Sequence, residues 1–218
     1  MAQRVPRTAN AVMRFGIPAA ALLAVAGVAA PMIWVRAPAG TGRYRAPEQP
    51  VPFDHDHHVR RSGIDCLFCH TDAQNGPSAG IPATEVCMGC HRQVWKDAPV
   101  LAPVRKSWET GTPIEWRRVN ALPMFVFFDH SIHLRAGIGC SSCHGQVGFM
   151  PRVAQMEPLT MGWCLDCHRN PLPHVRPRSE LTNPVWRPQI DPESEALRRE
   201  LVAKNQVRSL TFCSTCHR

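Results

Sequence analysis

The sequence Cys-x-x-Cys-His occurs five times, as Cys66/Cys69/His70, Cys87/Cys90/His91, Cys140/Cys143/His144, Cys164/Cys167/His168 and Cys213/Cys216/His217, and these copies use every one of the 10 cysteines in the 218-residue chain. In this signature the two thiols add across the vinyl groups of a haem, and the histidine that follows binds the iron from the proximal side. A zinc ribbon or a redox dithiol needs no histidine after each pair. A disulfide framework needs no uniform two-residue gap. The spacing therefore predicts five covalently attached haem c groups. It also predicts an unusual interior, because a chain with 21 Pro and only 7% aromatic residues has little of its own to fill a core. The expected fold is mostly α and irregular, with short helices at each attachment site, weak strand signals, and haems in place of a conventional apolar core.

An internal repeat suggests how the irons are closed on their second side. Phe53-Asp54-His55-Asp56-His57-His58 precedes Cys66, and 75 residues later Phe128-Asp129-His130-Ser131-Ile132-His133 precedes Cys140. Each copy is followed by a second attachment site, at Cys87 and at Cys164. The exported region, residues 51–218, then reads as two two-haem repeats (51–92 and 126–169) followed by a fifth haem in 170–218. His55, His58, His130 and His133 are the expected distal ligands, since an i, i+3 pair on one helical turn can serve two haems. Phe53 and Phe128 are expected on porphyrin edges, and Asp54 and Asp129 in capping or supporting roles. For the fifth haem the candidates are Met150 and Met161, then His174; Met156 and His57 are also chemically available. The stretch between the repeats, from Val94 to Met124, has prolines that argue against a long helix and reads as a packed loop. Asp191-Pro192-Glu193 is a helix start, with the helix expected over 192–206.

Residues 15–35 (FGIPAAALLAVAGVAAPMIWV) carry no charge, and their length matches a hydrocarbon layer of about 30 Å. Arg4, Arg7 and Arg14 precede this run without an acidic residue. The expectation is a cytoplasmic segment over 1–14, a transmembrane anchor over 15–35 bounded or kinked by Pro18 and Pro31, and the haem domain on the outer, periplasmic side of the inner membrane. A cleaved signal peptide is the rival reading. Residues 36–50, rich in Pro, Gly and Arg, read as a tether. The formal net charge of +8 points first to nucleic acid or acidic lipid, but haem propionates offset it. Only Lys96, Lys106 and Lys204 among the 25 basic residues are not Arg, and Arg suits carboxylate pairing. Nucleic-acid binding is not expected, and no catalytic acid–base pair, phosphate loop or nucleophile constellation stands out.

Over nearly its whole length the chain resembles the pentahaem c-type cytochrome subunit of alternative complex III, a bacterial quinol:electron-acceptor oxidoreductase. The resemblance rests on GIDCLFCHTDAQNGPSAGIPATEVCMGCH, LAPVRKSWETGTPIEWRRV, the Phe-Asp-His-Ser-Ile-His block, LTMGWCLDCHRNP and the terminal CSTCHR. It implies one transmembrane helix and mostly bis-His haems, with Met at one. It further implies electron entry from an iron–sulfur, molybdopterin-enzyme-like partner beside integral quinol-binding subunits, and exit to a monohaem cytochrome c subunit or a terminal oxidase. On that reading the chain is an electron-transfer subunit and not an enzyme by itself. The alternatives are a stand-alone membrane-anchored multihaem quinol dehydrogenase and, more remotely, a multihaem reductase of small oxyanions.

Overall fold

The structure, a computed structural model, describes residues 6–217; Arg4 and the first residues of the expected cytoplasmic segment lie outside this range. The chain forms two units, Met1–Gly42 and Arg43–Arg218.

In the first unit, Thr8–Trp34 forms one apolar helix, α1, 27 residues long. At 1.5 Å per residue it spans about 40 Å, enough to cross a bilayer. Its apolar side chains are distributed on every side, and Phe15, Leu22, Leu23, Val28, Ile33 and Trp34 are all exposed. A helix apolar all round has no solvated face. It starts well before the expected Phe15, because nothing in Thr8–Arg14 stops a helix. Pro18 does not end it. The turn Val12–Gly16 widens into π geometry, with the Ile17 N–H bonding Val12 O, just where a proline ring crowds the carbonyl four residues earlier. Pro31 is carried inside the helix.

The expected tether behaves as two pieces. Pro38–Thr41 is a single helical turn closed by Gly42 in the left-handed region (φ 75°). From Arg43 onward the backbone is held. Tyr44 N donates to Gln155 O (2.6 Å), Gln155 N donates to Arg45 O (3.1 Å), and Gln49 exchanges hydrogen bonds with the Arg117 backbone.

The second unit contains short helices and no strands among the described residues; one antiparallel bridge joins Ile138 and Val175. Short helices recur at Thr84–His91 (α2) and Ala102–Thr110 (α3), with His130–Ala136 (α4) and Met161–Arg169 (α5) following in repeat two. Pro192–Lys204 (α6) matches the helix expected over 192–206, and Asp191 caps it by accepting from Ser194 N at 2.8 Å. The helix α3 was not expected. Its prolines, Pro99 and Pro103, sit at the first positions of a 3-10 turn and of α3, where a missing N–H costs nothing. Leu101 and Val104 then face Val51 and Met88 in the main apolar cluster, joined at its edge by Ile114 and Trp116. Only Ala73, Ile138 and Val175 add further buried apolar side chains among the described residues.

The repeat is visible in three dimensions, including its one irregularity. Phe53 and Phe128 are 75 residues apart but Cys66 and Cys140 only 74, so repeat one carries one extra residue between its second ligand-type histidine and its glycine. That residue is absorbed locally. Asp56–Arg61 winds as a π-turn, with Ser62 N bonding His57 O, whereas α4 is an ordinary helix. After it the register is restored. Ile64 N bonds His58 O at 3.0 Å, and its counterpart Ile138 N bonds His133 O at 2.9 Å.

The residue between the paired histidines anchors each turn. In repeat one Asp56 is 5% exposed and accepts from Arg60 (2.9 Å, Nη2) and Arg61 (2.7 Å, Nε). In repeat two Ser131 stands there, bonded by Arg135 at 3.1 Å. The bond from Arg60, then that from Arg61, holds the Asp56 carboxyl down at about 2. Asp56→Ala should lower the thermal midpoint of the haem-loaded protein clearly more than Ser131→Ala, because it removes a carboxylate that holds two guanidinium groups, whereas Ser131 accepts from Arg135 through a neutral hydroxyl. Equal shifts in differential scanning calorimetry would contradict this.

Candidate haem sites

At Cys66–Cys69, Ser141–His144 and Cys213–Cys216 the motif forms a single helical turn, and at Cys87 and Cys164 it lies within α2 and α5. Helical spacing brings the i and i+3 thiols to one face, as attachment to two vinyl groups requires. All ten cysteines are unpaired, and among the described residues no three His, Cys, Asp or Glu side chains gather as a metal-ion cluster. The thiols therefore do not meet in fours, as a zinc ribbon needs. Burial, then neighbouring Cys167 and Cys164, pushes the Cys143 thiol up to about 12.

The thiols are not equally sheltered. Cys90 and Cys213 are exposed, while the other cysteines are partly buried. The reason at Cys90 is local. Cys87 packs at the edge of the main apolar cluster, beside Met88, and one turn later α2 carries Cys90 past that cluster to its solvent side. A group bridging Cys87 and Cys90 would therefore be covered at one edge and open at the other. Cys213 opens the last helical turn next to Phe212, itself exposed, so the fifth motif is likewise at the surface.

Three of the histidines following the motifs have their Nδ1 atoms engaged by backbone carbonyls: His70 with Gly80 O (2.8 Å), His91 with Val94 O (2.9 Å) and His217 with Phe125 O (3.2 Å). With the proton held on Nδ1, Nε2 keeps its lone pair for a metal. Burial, followed by His130 and His70, lowers His144 to about 4, so it is neutral at physiological pH.

Three histidines expected on the distal side stand opposite motif histidines. His58 faces His91 with ring centres 6.2 Å apart, His130 faces His144 at 6.2 Å, and His133 faces His168 at 6.1 Å. A metal bound between two imidazoles at about 2 Å per bond puts their centres about 6 Å apart. The fourth, His55, is half-buried and lowered to about 4 by burial and then by His70; its Nδ1 is buried without a hydrogen-bond partner. The donor set and the spacing thus fit iron coordinated by two imidazoles. In repeat two the first histidine faces the first motif and the histidine at i+3 faces the second; in repeat one the histidine at i+3 likewise faces the second motif.

The surrounding residues set this arrangement. Asp54 O and Asp129 O each accept from the histidine four residues on, His58 and His133, both at 2.7 Å. Their carboxylates cap the turn, Asp54 bonding His57 N (3.0 Å) and Asp129 bonding Ser131 N (2.8 Å). Phe53 stacks on His58 (4.3 Å) and meets His55 edge-on (4.7 Å); Phe128 does the same with His133 (4.4 Å) and His130 (4.8 Å). These phenyl rings therefore orient the histidines directly and are not confined to porphyrin edges. The repeats also lock together: His130 Nδ1 bonds Pro77 O (2.7 Å), and Ser131 N bonds Gly76 O (3.2 Å). The Cys66 thiol donates to Thr182 O (3.7 Å), and the neighbouring Cys140 thiol, then burial, pushes it up.

The fifth motif lacks such a histidine partner. Phe125 stacks on His217 (5.9 Å). Met150 and Met156 lie against Gly145, beside His144, with Met150 Cε 3.7 Å from where a Cβ at Gly145 would stand. His174 closes a short 3-10 turn packed near α6, and burial, then Arg176, lowers it. Met161 opens α5 with its side chain exposed. His57 packs against Trp95 at 5.4 Å. Sequence reasoning missed the carbonyls of Pro77, Gly80, Val94 and Phe125, which bear no side-chain signal. It also missed Arg176.

Residues 126–218 match the family described as cytochrome c7 and related cytochrome c. This part of the chain is thus similar to multihaem c-type cytochromes, proteins of electron transport that carry covalent haem. A curated relative, the menaquinone reductase multihaem cytochrome c subunit of Nitratidesulfovibrio vulgaris, is 35% identical over 102 residues, covering 46% of this chain and 48% of the relative. The chain spans about half the length of that relative.

Proposed function

We propose that this chain is a membrane-anchored pentahaem cytochrome c that relays electrons out of a quinol-oxidising respiratory complex of the alternative complex III type. The observation that carries the reading is the set of facing histidine pairs at 6.1–6.2 Å, ordered alike in both repeats where ring pairs occur. Haem c bound at the five motifs supplies one-electron chemistry. The protein's own part is to fix six of these imidazoles (His58, His70, His91, His130, His133 and His217) through backbone carbonyls and to present imidazole donors from both sides. His70, His91, His144, His168 and His217 serve as proximal ligands, and His55, His58, His130 and His133 as distal ones. Met150 or Met161 supplies the fifth distal ligand on this reading, with His174 as the alternative. The exposure of the Cys90 and Cys213 thiols supports a reading in which the second and fifth haems lie near the surface, where electrons can enter or leave.

Helix α1 serves as the anchor in the inner membrane, with the haem unit on the periplasmic side. The partners on this reading are an iron–sulfur, molybdopterin-like subunit and integral quinol-binding subunits as donors, and a monohaem cytochrome c or terminal oxidase as acceptor. The similarity to a menaquinone reductase subunit supports a quinone-linked chain. The test is stopped-flow haem reduction by a soluble quinol analogue, comparing the isolated chain with the complex extracted alongside it. Fast reduction confined to the complex is expected. Equal rates for the isolated chain would make it a quinol dehydrogenase in its own right.

A further inference from the structure

The turn bearing Cys140 and Cys143 is built around a side chain that its counterpart in repeat one lacks. Arg176 is 3% exposed. The Ile138–Val175 bridge and the bond from Arg176 N to Gly137 O (2.9 Å) lay its backbone along the turn. Its guanidinium donates to Ser141 Oγ (3.1 Å) and Ser142 Oγ (2.8 Å), the two residues between the cysteines, and to Glu180 O and Asn183 O (both 3.4 Å). Trp186 covers it, with the guanidinium carbon 4.2 Å from a ring centre.

No carboxylate pairs with it among the described residues. The Glu180 carboxylate accepts instead from Asn183 Nδ2 at 2.6 Å, and Arg176 Nε is left buried without a partner. Neutral acceptors and an aromatic cover thus solvate a charge without cancelling it.

The sequence makes room for this charge in one repeat only. A Cβ at Gly139 would come within 2.5–2.6 Å of the guanidinium. The equivalent residue in repeat one is Asp65, an exposed carboxylate that caps its own turn through Leu67 N and accepts from Thr182. Two otherwise parallel attachment turns thus differ by a buried cation against a solvated anion.

Resting on the haem reading above, we propose that Arg176 raises the reduction potential of the haem attached through Cys140 and Cys143 above that of the haem attached through Cys66 and Cys69. Reduction removes one positive charge from the iron, so a fixed nearby cation favours the reduced state. Burial keeps that effect from being screened by salt. Axial ligation does not explain such an offset, since both sites present two histidines. The offset gives electrons a downhill step between the two repeats, which are joined through His130 and Pro77.

The test is a spectroelectrochemical titration of the full-length, haem-loaded protein, with haem content measured independently. His130→Met, which exchanges an axial donor, marks the midpoint belonging to the Cys140/Cys143 haem. Arg176→Gln should lower that midpoint and leave the other four in place. Arg176→Lys should restore most of it, and the shift should persist in high salt. Gly139→Ala, which displaces the guanidinium without removing it, should lower the same midpoint and decides the matter if Arg176→Gln fails to assemble. An unmoved midpoint at full haem content, or equal lowering by Lys and Gln, overturns the role of Arg176. Fewer than five haems in the native protein would instead overturn the pentahaem reading itself.

Discussion

Produced without the haem-attachment machinery, the chain should show no cooperative thermal transition outside α1, and near-ultraviolet circular dichroism should be featureless. The second unit runs from Arg43 to Arg218, yet its buried apolar side chains among the described residues are Val51, Ala73, Met88, Leu101, Val104, Ile138 and Val175. These are few for a segment of that length, whose ordering must overcome the backbone entropy of every residue. On the reading proposed above, haems fixed by thioether links and iron bonds supply the rest of the core. A cooperative transition in haem-free protein, seen by calorimetry, would show that the polypeptide supplies its own core and would remove the physical argument for a haem-filled interior.

The second large effect is expected from His133→Ala. This ring stands 6.1 Å from His168 and is held by Asp129 O and by Phe128. Removing it should leave the haem of the Cys164/Cys167 site five-coordinate, giving a high-spin band and carbon monoxide binding by one haem in the protein where the parent binds at most the weakly ligated fifth. His130→Ala should produce the same signature at the Cys140/Cys143 site. The double variant should bind one further equivalent, since the two rings face different motif histidines. An unchanged carbon monoxide difference spectrum in His133→Ala, at full haem content, would remove His133 from the ligand set. The pairing makes the prediction site-specific, which the i, i+3 spacing alone does not.

The attachment sites were legible because covalent chemistry fixes their spacing: Cys66 and Cys69 must straddle one macrocycle, and His70 must follow. The repeat exposed His55, His58, His130 and His133 for a similar reason, since two copies of one constraint stand out against a variable background. What stayed hidden was set by tertiary contact. The exposure of Cys90 depends on which face of α2 the cluster around Val51 and Leu101 occupies, and the motif is the same whether it is covered or open. The prolines before α3 read as breakers until their positions at a helix start were seen. The second half of the expected tether, Arg43 onward, is bound by residues more than 100 positions away. The partners of the motif histidines are main-chain carbonyls, to which composition is blind. Gly139 and Arg176 are 37 residues apart, and only the close approach of their backbones makes one the condition for the other.

The pairing of the rings also orders events in time. His55 and His58 come before Cys66 and Cys87 in the chain, and His130 and His133 come before Cys140 and Cys164. On the reading proposed above, the chain beyond the anchor is exported in sequence order, so each of these histidines emerges ahead of the cysteines it would serve. A haem coupled there would meet an imidazole already outside, before the next attachment site emerged. Repeat one can mature while repeat two is still being exported, and the Pro77 carbonyl that receives His130 is then already outside. The last motif, Cys213/Cys216, has no histidine ring facing it among the described residues and is the last to emerge.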